Sequence, residues 1–135
     1  MILFKYNFFN FFSFYFFFDK KNIELCKKLP EFLENTFNFT NKESIEIVAC
    51  IPDILKVSDK QIEENYKLIK EFLNLDNNKT NNLILEYPSI LAKTNPETIK
   101  KIELYFNIYL RYEKADLQKL IKRNPLLFNI EVRFY

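Results

Sequence analysis

Glycine, histidine and tryptophan are all missing from this 135-residue chain, and it has one methionine and two cysteines. Tight primed hairpin turns need positive φ, which glycine or asparagine usually supplies. A chain without glycine therefore favours helices over hairpins. It also has no glycine loop to cradle a phosphate. Without histidine there is no imidazole acid/base chemistry and no imidazole metal ligation. Two cysteines are too few for a secreted disulfide scaffold. Cys26 reads as a small core residue and Cys50 as a more exposed one. No nucleophile–base pair and no metal cluster can be assembled, so no catalytic residue, metal or cofactor is expected, and the chain does not read as an enzyme. The formal net charge is only +2, but it is unevenly spread. Residues 1–41 carry +1, residues 42–91 carry −3 and residues 92–135 carry +4. That asymmetry points to an anionic partner for the last third.

What is abundant is phenylalanine, and nine of the sixteen fall in residues 1–18, MILFKYNFFNFFSFYFFF. A targeting presequence is normally rich in arginine and serine, and this stretch has one lysine, Lys5. A membrane span needs about 20 apolar residues, and Lys5, Asn7 and Asn10 interrupt this one. We therefore set residues 1–21 apart as a Phe-rich anchor or targeting segment. In the first case a neighbouring protein covers its apolar rings. Residues 22–135 form the second region.

That region contains a repeat. Residues 50–58 read CIPDILKVS, 86–94 read EYPSILAKT and 123–131 read RNPLLFNIE. Pro52, Pro88 and Pro125 are thus 36 and 37 positions apart. Proline inside a helix costs roughly 3 kcal/mol, so its return on a fixed period indicates a structural device. Leu55, Leu91 and Phe128 stand at the third position after each proline. Apolar pairs precede each one: Ile47 and Val48, Leu83 and Ile84, Leu120 and Ile121. Leu25 and Cys26 stand in the same way before Pro30, with Leu33 after it. From Pro52, Ile62 and Ile69 continue the stripe, and Ile99 and Phe106 do so from Pro88 with one inserted residue. Pro30 to Pro52 is short of the later spacing by about one long helix, so the first unit is expected to lack that helix.

Start signals accompany the stops. Thr40-x-x-Glu43, Ser58-x-x-Gln61 and Thr94-x-x-Glu97 fit the capping box, and Asp116 reads as an N-cap. The spacing predicts helices over 41–51, 59–74, 80–87, 96–110 and 116–124, with a turn at 53–57 and a polar loop LDNNKT between. Phe, Asn, Lys and Ile make up about half the chain, as an AT-rich genome would give, so the asparagines of 77–82 are discounted as a functional signal. The expectation is an all-α, α-solenoid-like stack, two units complete and two partial, each burying its face on the next.

A proline, a leucine three residues on, and leucine-like residues at seven-residue steps resemble the repeat of the mTERF, or mitochondrial transcription termination factor, family. Pro52, Leu55, Ile62 and Ile69 match it. Pro88, Leu91, Ile99 and Phe106 match with one insertion, and Pro125 and Phe128 match in part. The resemblance covers about residues 25–131. It implies a curved stack of three-helix units, an organellar location in mitochondrion or plastid, and nucleic-acid binding through a basic concave face. Family roles include organellar transcription control and mitochondrial ribosome assembly. Full members carry many more repeats, so a groove this short suits a short RNA element within a larger assembly better than encircling a duplex.

The residues expected to contact nucleic acid are Lys100, Lys101, Lys114, Lys119, Lys122 and Arg123. The last three share the face of 116–124 opposite Leu117, Leu120 and Ile121 by i, i+3, i+4 spacing. Such groups neutralise phosphates with salt-dependent, sequence-tolerant affinity. The earlier unit has Asn77, Asn82, Leu85 and Glu86 at the matching positions, so only one end looks built for an anion. Tyr105, Tyr109 and Tyr112 are candidates for stacking on bases, with Tyr109 assigned to the core. The expected role is RNA binding as a small, non-catalytic part of a mitochondrial ribosome, with ribosomal RNA as partner. The alternatives are an organellar DNA-binding transcription regulator and a protein–protein adaptor, and no small-molecule substrate is expected.

Overall fold

Three prolines halt three helices in one and the same way. In the computed structural model, which describes residues 20–130 and 132, the residues before them are Ile51, Tyr87 and Asn124. Their φ, ψ values are −128°, 80°, then −133°, 71°, then −132°, 74°. This is the non-helical backbone that a following proline imposes. Each of the three still donates its N–H to the carbonyl four residues back, on Ile47, Leu83 or Leu120. The chain then makes one short turn of helix and leaves in a new direction.

The elements are α1 (Lys20–Phe37), α2 (Asn41–Cys50), a 3₁₀ turn Pro52–Lys56, α3 (Asp59–Leu73), α4 (Asn77–Glu86), α5 (Ser89–Lys93), α6 (Pro96–Leu110), α7 (Lys114–Arg123) and a 3₁₀ turn Pro125–Asn129. They form three successive units, each a long helix, a ten-residue helix and a five-residue proline turn. Among the described residues there is no strand. The fold is the all-α repeat stack, with its frame shifted: the unit begins at the long helix.

The first unit therefore does not lack its long helix. That helix is α1, and Pro30 lies inside it. Proline there removes one i→i−4 bond, yet Cys26, Leu29, Leu33 and Phe37 carry a buried stripe straight past it. Their combined burial outweighs a single lost bond.

Each long helix ends at a left-handed residue: Asn38 at φ 64°, Asn74 at 52° and Arg111 at 55°. Asparagine tolerates that region better than other non-glycine residues. An apolar residue and then a start residue come next in every copy: Phe39 and Thr40, Leu75 and Asp76, Tyr112 and Glu113.

The caps largely match expectation. Thr40 Oγ1 accepts from Glu43 N at 3.1 Å, and Glu43 Oε1 accepts from Thr40 N at 3.0 Å. Ser58 Oγ accepts from Gln61 N at 3.2 Å, while the Gln61 amide turns to Asn65 Oδ1 at 2.8 Å. Two caps differ. Asn95, not Thr94, caps α6 by accepting from Thr98 N at 2.8 Å. Asp116 lies in the first turn of α7, where its Oδ2 accepts from Glu113 N at 3.3 Å. The helix expected at 80–87 begins at Asn77 because Asp76 Oδ1 accepts from Lys79 N at 2.7 Å. The asparagine run is thus mostly helical.

The core runs through all three units. Cys26, Val48, Ile84 and Ile121, four residues before each proline, are buried, as are Leu33, Leu55, Leu91 and Phe128 after it. Ile62, Ile69, Ile99 and Phe106 line the long helices as the spacing predicts. Polar side chains tie neighbouring units. Asn81 Nδ2 donates to Phe37 O at 2.9 Å, and Gln118 Nε2 donates to Phe72 O at 2.6 Å. These two amides sit 37 positions apart. Within the second unit, fully buried Asn65 donates to Leu91 O at 2.8 Å. It holds the proline turn against the long helix.

The Phe-rich segment, except its last two residues Lys20 and Lys21, lies outside the described residues. No described helix is long and apolar enough to cross a membrane.

Candidate nucleic-acid interface

The basic residues of the last unit fall into three settings. Lys119, Lys122 and Arg123 are exposed on α7, while Leu117 and Ile121 on its other side are buried. None of the three has a carboxylate within ion-pair reach among the described residues. They form one solvated cationic face, at the C-terminal end of a helix whose dipole stabilises cations there.

Lys100 and Lys114 come together elsewhere. Both line a depression of about 300 Å³ between α6 and α7, with Leu104, Asn107 and Tyr112. Glu103 and Glu113 line it too, so its charge is balanced. Lys114 Nζ lies 5.8 Å from the centre of the Phe72 ring, within cation–π range. Lys101 pairs with Glu97 one turn earlier, Nζ to Oε1 3.3 Å. An exposed i,i+4 pair of this kind is weak, and Lys101 remains half exposed.

Aromatic side chains extend this end of the molecule. The rings of Tyr105 and Tyr109 pack with centroids 5.1 Å apart, their planes tilted by 34°. Tyr109 is 57 % exposed, which overturns its assignment to the core. Leu104, Ile108 and Leu110 are also exposed on α6. Tyr112 lies 5.6 Å from the ring of Phe106.

Both thiols are free. Cys26 is buried and Cys50 half-buried. Burial pushes both thiols up, and Cys50, with the nearby Glu46 carboxylate adding to the effect, reaches about 11. Neither is poised as a nucleophile. No cluster of three metal-ligating side chains occurs among the described residues.

Sequence reading passed over a second cationic region. Lys56 and Lys93 close the first two proline turns at equivalent positions and line one polar cleft. Their shared place in the repeat was the available signal.

A stack of long-helix, short-helix, proline-turn units defines a helical-repeat protein. The mTERF family model matches residues 14–134, and the chain belongs to the mTERF family. Membership makes it an organellar protein, of mitochondrion or plastid, from a family of generally non-catalytic nucleic-acid binders. No curated protein and no solved structure matches the chain significantly.

Proposed function

We propose that the protein binds RNA as a small, non-catalytic component of a mitochondrial ribosome, laying the solvent face of α7 along a ribosomal RNA backbone. The observation that carries this reading is that Lys119, Lys122 and Arg123 have no ion-pair partner among the described residues. Each is free to meet a phosphate without first breaking an ion pair. Lys100, Lys101 and Lys114 flank that face in a supporting role, since each is already engaged or offset by acid.

Gradient sedimentation of organellar extract tests the reading. The protein is expected with ribosomal particles, and the variant with all three α7 cations reversed to Glu is expected in the free fractions. Each phosphate left without its cation lowers the salt slope of RNA binding by about 0.7, so the triple variant should lose roughly two units of slope. Salt-sensitive binding to duplex DNA by a protein absent from ribosomal fractions redirects the reading to organellar transcription control.

A second reading, a protein–protein adaptor, is favoured by the exposed Leu104, Ile108 and Tyr109. In that case the triple charge reversal leaves partner association unchanged.

A further inference from the structure

We propose that the outer face of α6 is a docking surface for an amphipathic helix of another protein, apolar along its middle and acidic at one end. All eight large apolar side chains that are exposed among the described residues fall in residues 104–130, so the apolar surface belongs to the third unit alone. Leu104 and Ile108 are its outermost part. They are 50 % and 56 % exposed and lie one turn apart, on the side of α6 away from the buried Ile102 and Phe106. At the same repeat positions α3 has Lys67 and Glu71, a solvated ion pair at 3.9 Å, and α1 has Glu31 and Asn35, both exposed. Lys67 and Glu71 stay in water although the third unit covers the neighbouring Phe72. A further unit laid on α6 in the same way would leave Leu104 and Ile108 in water too, so stacking does not account for them.

Spacing and charge define the partner. Glu97, Lys101, Leu104 and Ile108 follow one another at steps of four, three and four, and Arg111 comes three later at the helix end. A seam with these steps receives the side chains of a second helix. At its N-terminal end Lys101 is already matched by Glu97 at 3.3 Å. Arg111 at the other end has no carboxylate within ion-pair reach among the described residues. The complement is therefore apolar opposite Leu104 and Ile108 and acidic opposite Arg111. A second copy of α6 does not supply it. Antiparallel pairing sets Lys101 of one copy against Arg111 of the other, and parallel pairing sets Arg111 against itself. RNA fits poorly, since surfaces that hold nucleic acid are polar and strongly cationic. This docking goes beyond the RNA contact of α7 and does not require it.

Photo-crosslinking of the full-length protein in organelles tests the surface. A benzophenone side chain at position 104 is expected to capture a segment of another protein. Sequencing that segment by mass spectrometry should show apolar residues at three- and four-residue steps with an acid at one end. The same probe at position 67 sets the background, which the yield at 104 should exceed several-fold. A synthetic peptide of the captured segment is then titrated against the pure full-length protein by fluorescence anisotropy. Leu104→Lys with Ile108→Glu recreates the ion pair of α3, so this variant should melt like the parent and lose the peptide. Arg111→Glu should weaken the peptide several-fold. Reversing Lys119, Lys122 and Arg123 to Glu should leave peptide affinity unchanged while RNA binding falls, so failure of the RNA reading and failure of this one are told apart. A crosslink to RNA or to a second copy, a captured segment without the apolar and acidic pattern, a yield at 104 no higher than at 67, or peptide binding undiminished by Leu104→Lys with Ile108→Glu overturns the proposal.

Discussion

Phe72 in α3 and Tyr109 in α6 occupy the same position in successive units, 37 residues apart. Phe72 is 6 % exposed and Tyr109 57 % exposed. The difference lies in the cover that the next unit brings to each helix. α7 sends Gln118 to the carbonyl of Phe72, and Phe128 sets its ring edge-on at 5.9 Å. No described element covers Tyr109 in that way. Burial in a stack is thus conferred by the next unit, because each repeat touches only its neighbours.

The sharpest break of this comparison is truncation at both sites. Phe72→Ala is expected to cost about 3–5 kcal/mol, as for other buried aromatics. Tyr109→Ala should stay within about 0.5 kcal/mol, as for a surface change. Urea unfolding measures both, and equal losses would mean that the last unit is covered in solution.

A smaller effect is expected at Asn65, whose repeat equivalent is the apolar Ile102. Asn65→Ala leaves the Leu91 carbonyl buried without its donor and should cost about 2 kcal/mol. Restoring stability with isoleucine at 65, as in the third unit, would show that the amide is dispensable.

The left-handed helix ends give a gain. Asn38 and Asn74 suit that conformation, but Arg111 carries its steric cost. Arg111→Gly should raise stability by up to about 1 kcal/mol, and Asn74→Gly should change it less.

The thiols contribute least. Cys50 holds its proton up to about pH 11, against an ordinary 9.0. The folded state therefore binds more protons than the unfolded chain between those values, and stability falls as pH rises through that window. Below pH 9 the contribution is fully present. Serine at position 50 should abolish this part of the pH dependence in thermal melts.

Much of this was legible in the chain. The three prolines fixed the turns, and the seven-residue stripe identified the buried faces of α3 and α6. Thr40 and Glu43 marked a helix start that the structure reproduces in both bonds. Pro30 misled, because local proline rules weigh one backbone bond and not the packing of four neighbours. The start of α4 was hidden by its asparagines, whose weak helix propensity is overridden by Asp76 and by the Asn81 bridge to the first unit. Tyr66 donates to that same Asn81 at 2.7 Å. Thr94 misled as the start residue of α6, because its neighbour Asn95 takes the cap by accepting from Thr98 N. The α7 cations were readable from helical spacing alone. The Lys56–Lys93 cleft was not, since it needs two turns that only the stacking brings side by side.

The amides that join the units differ by one methylene, asparagine at 81 and glutamine at 118. The first joint is therefore held on a shorter tether than the second. The longer amide reaches one residue further back, to the last but one carbonyl of α3, where the shorter one meets the last carbonyl of α1.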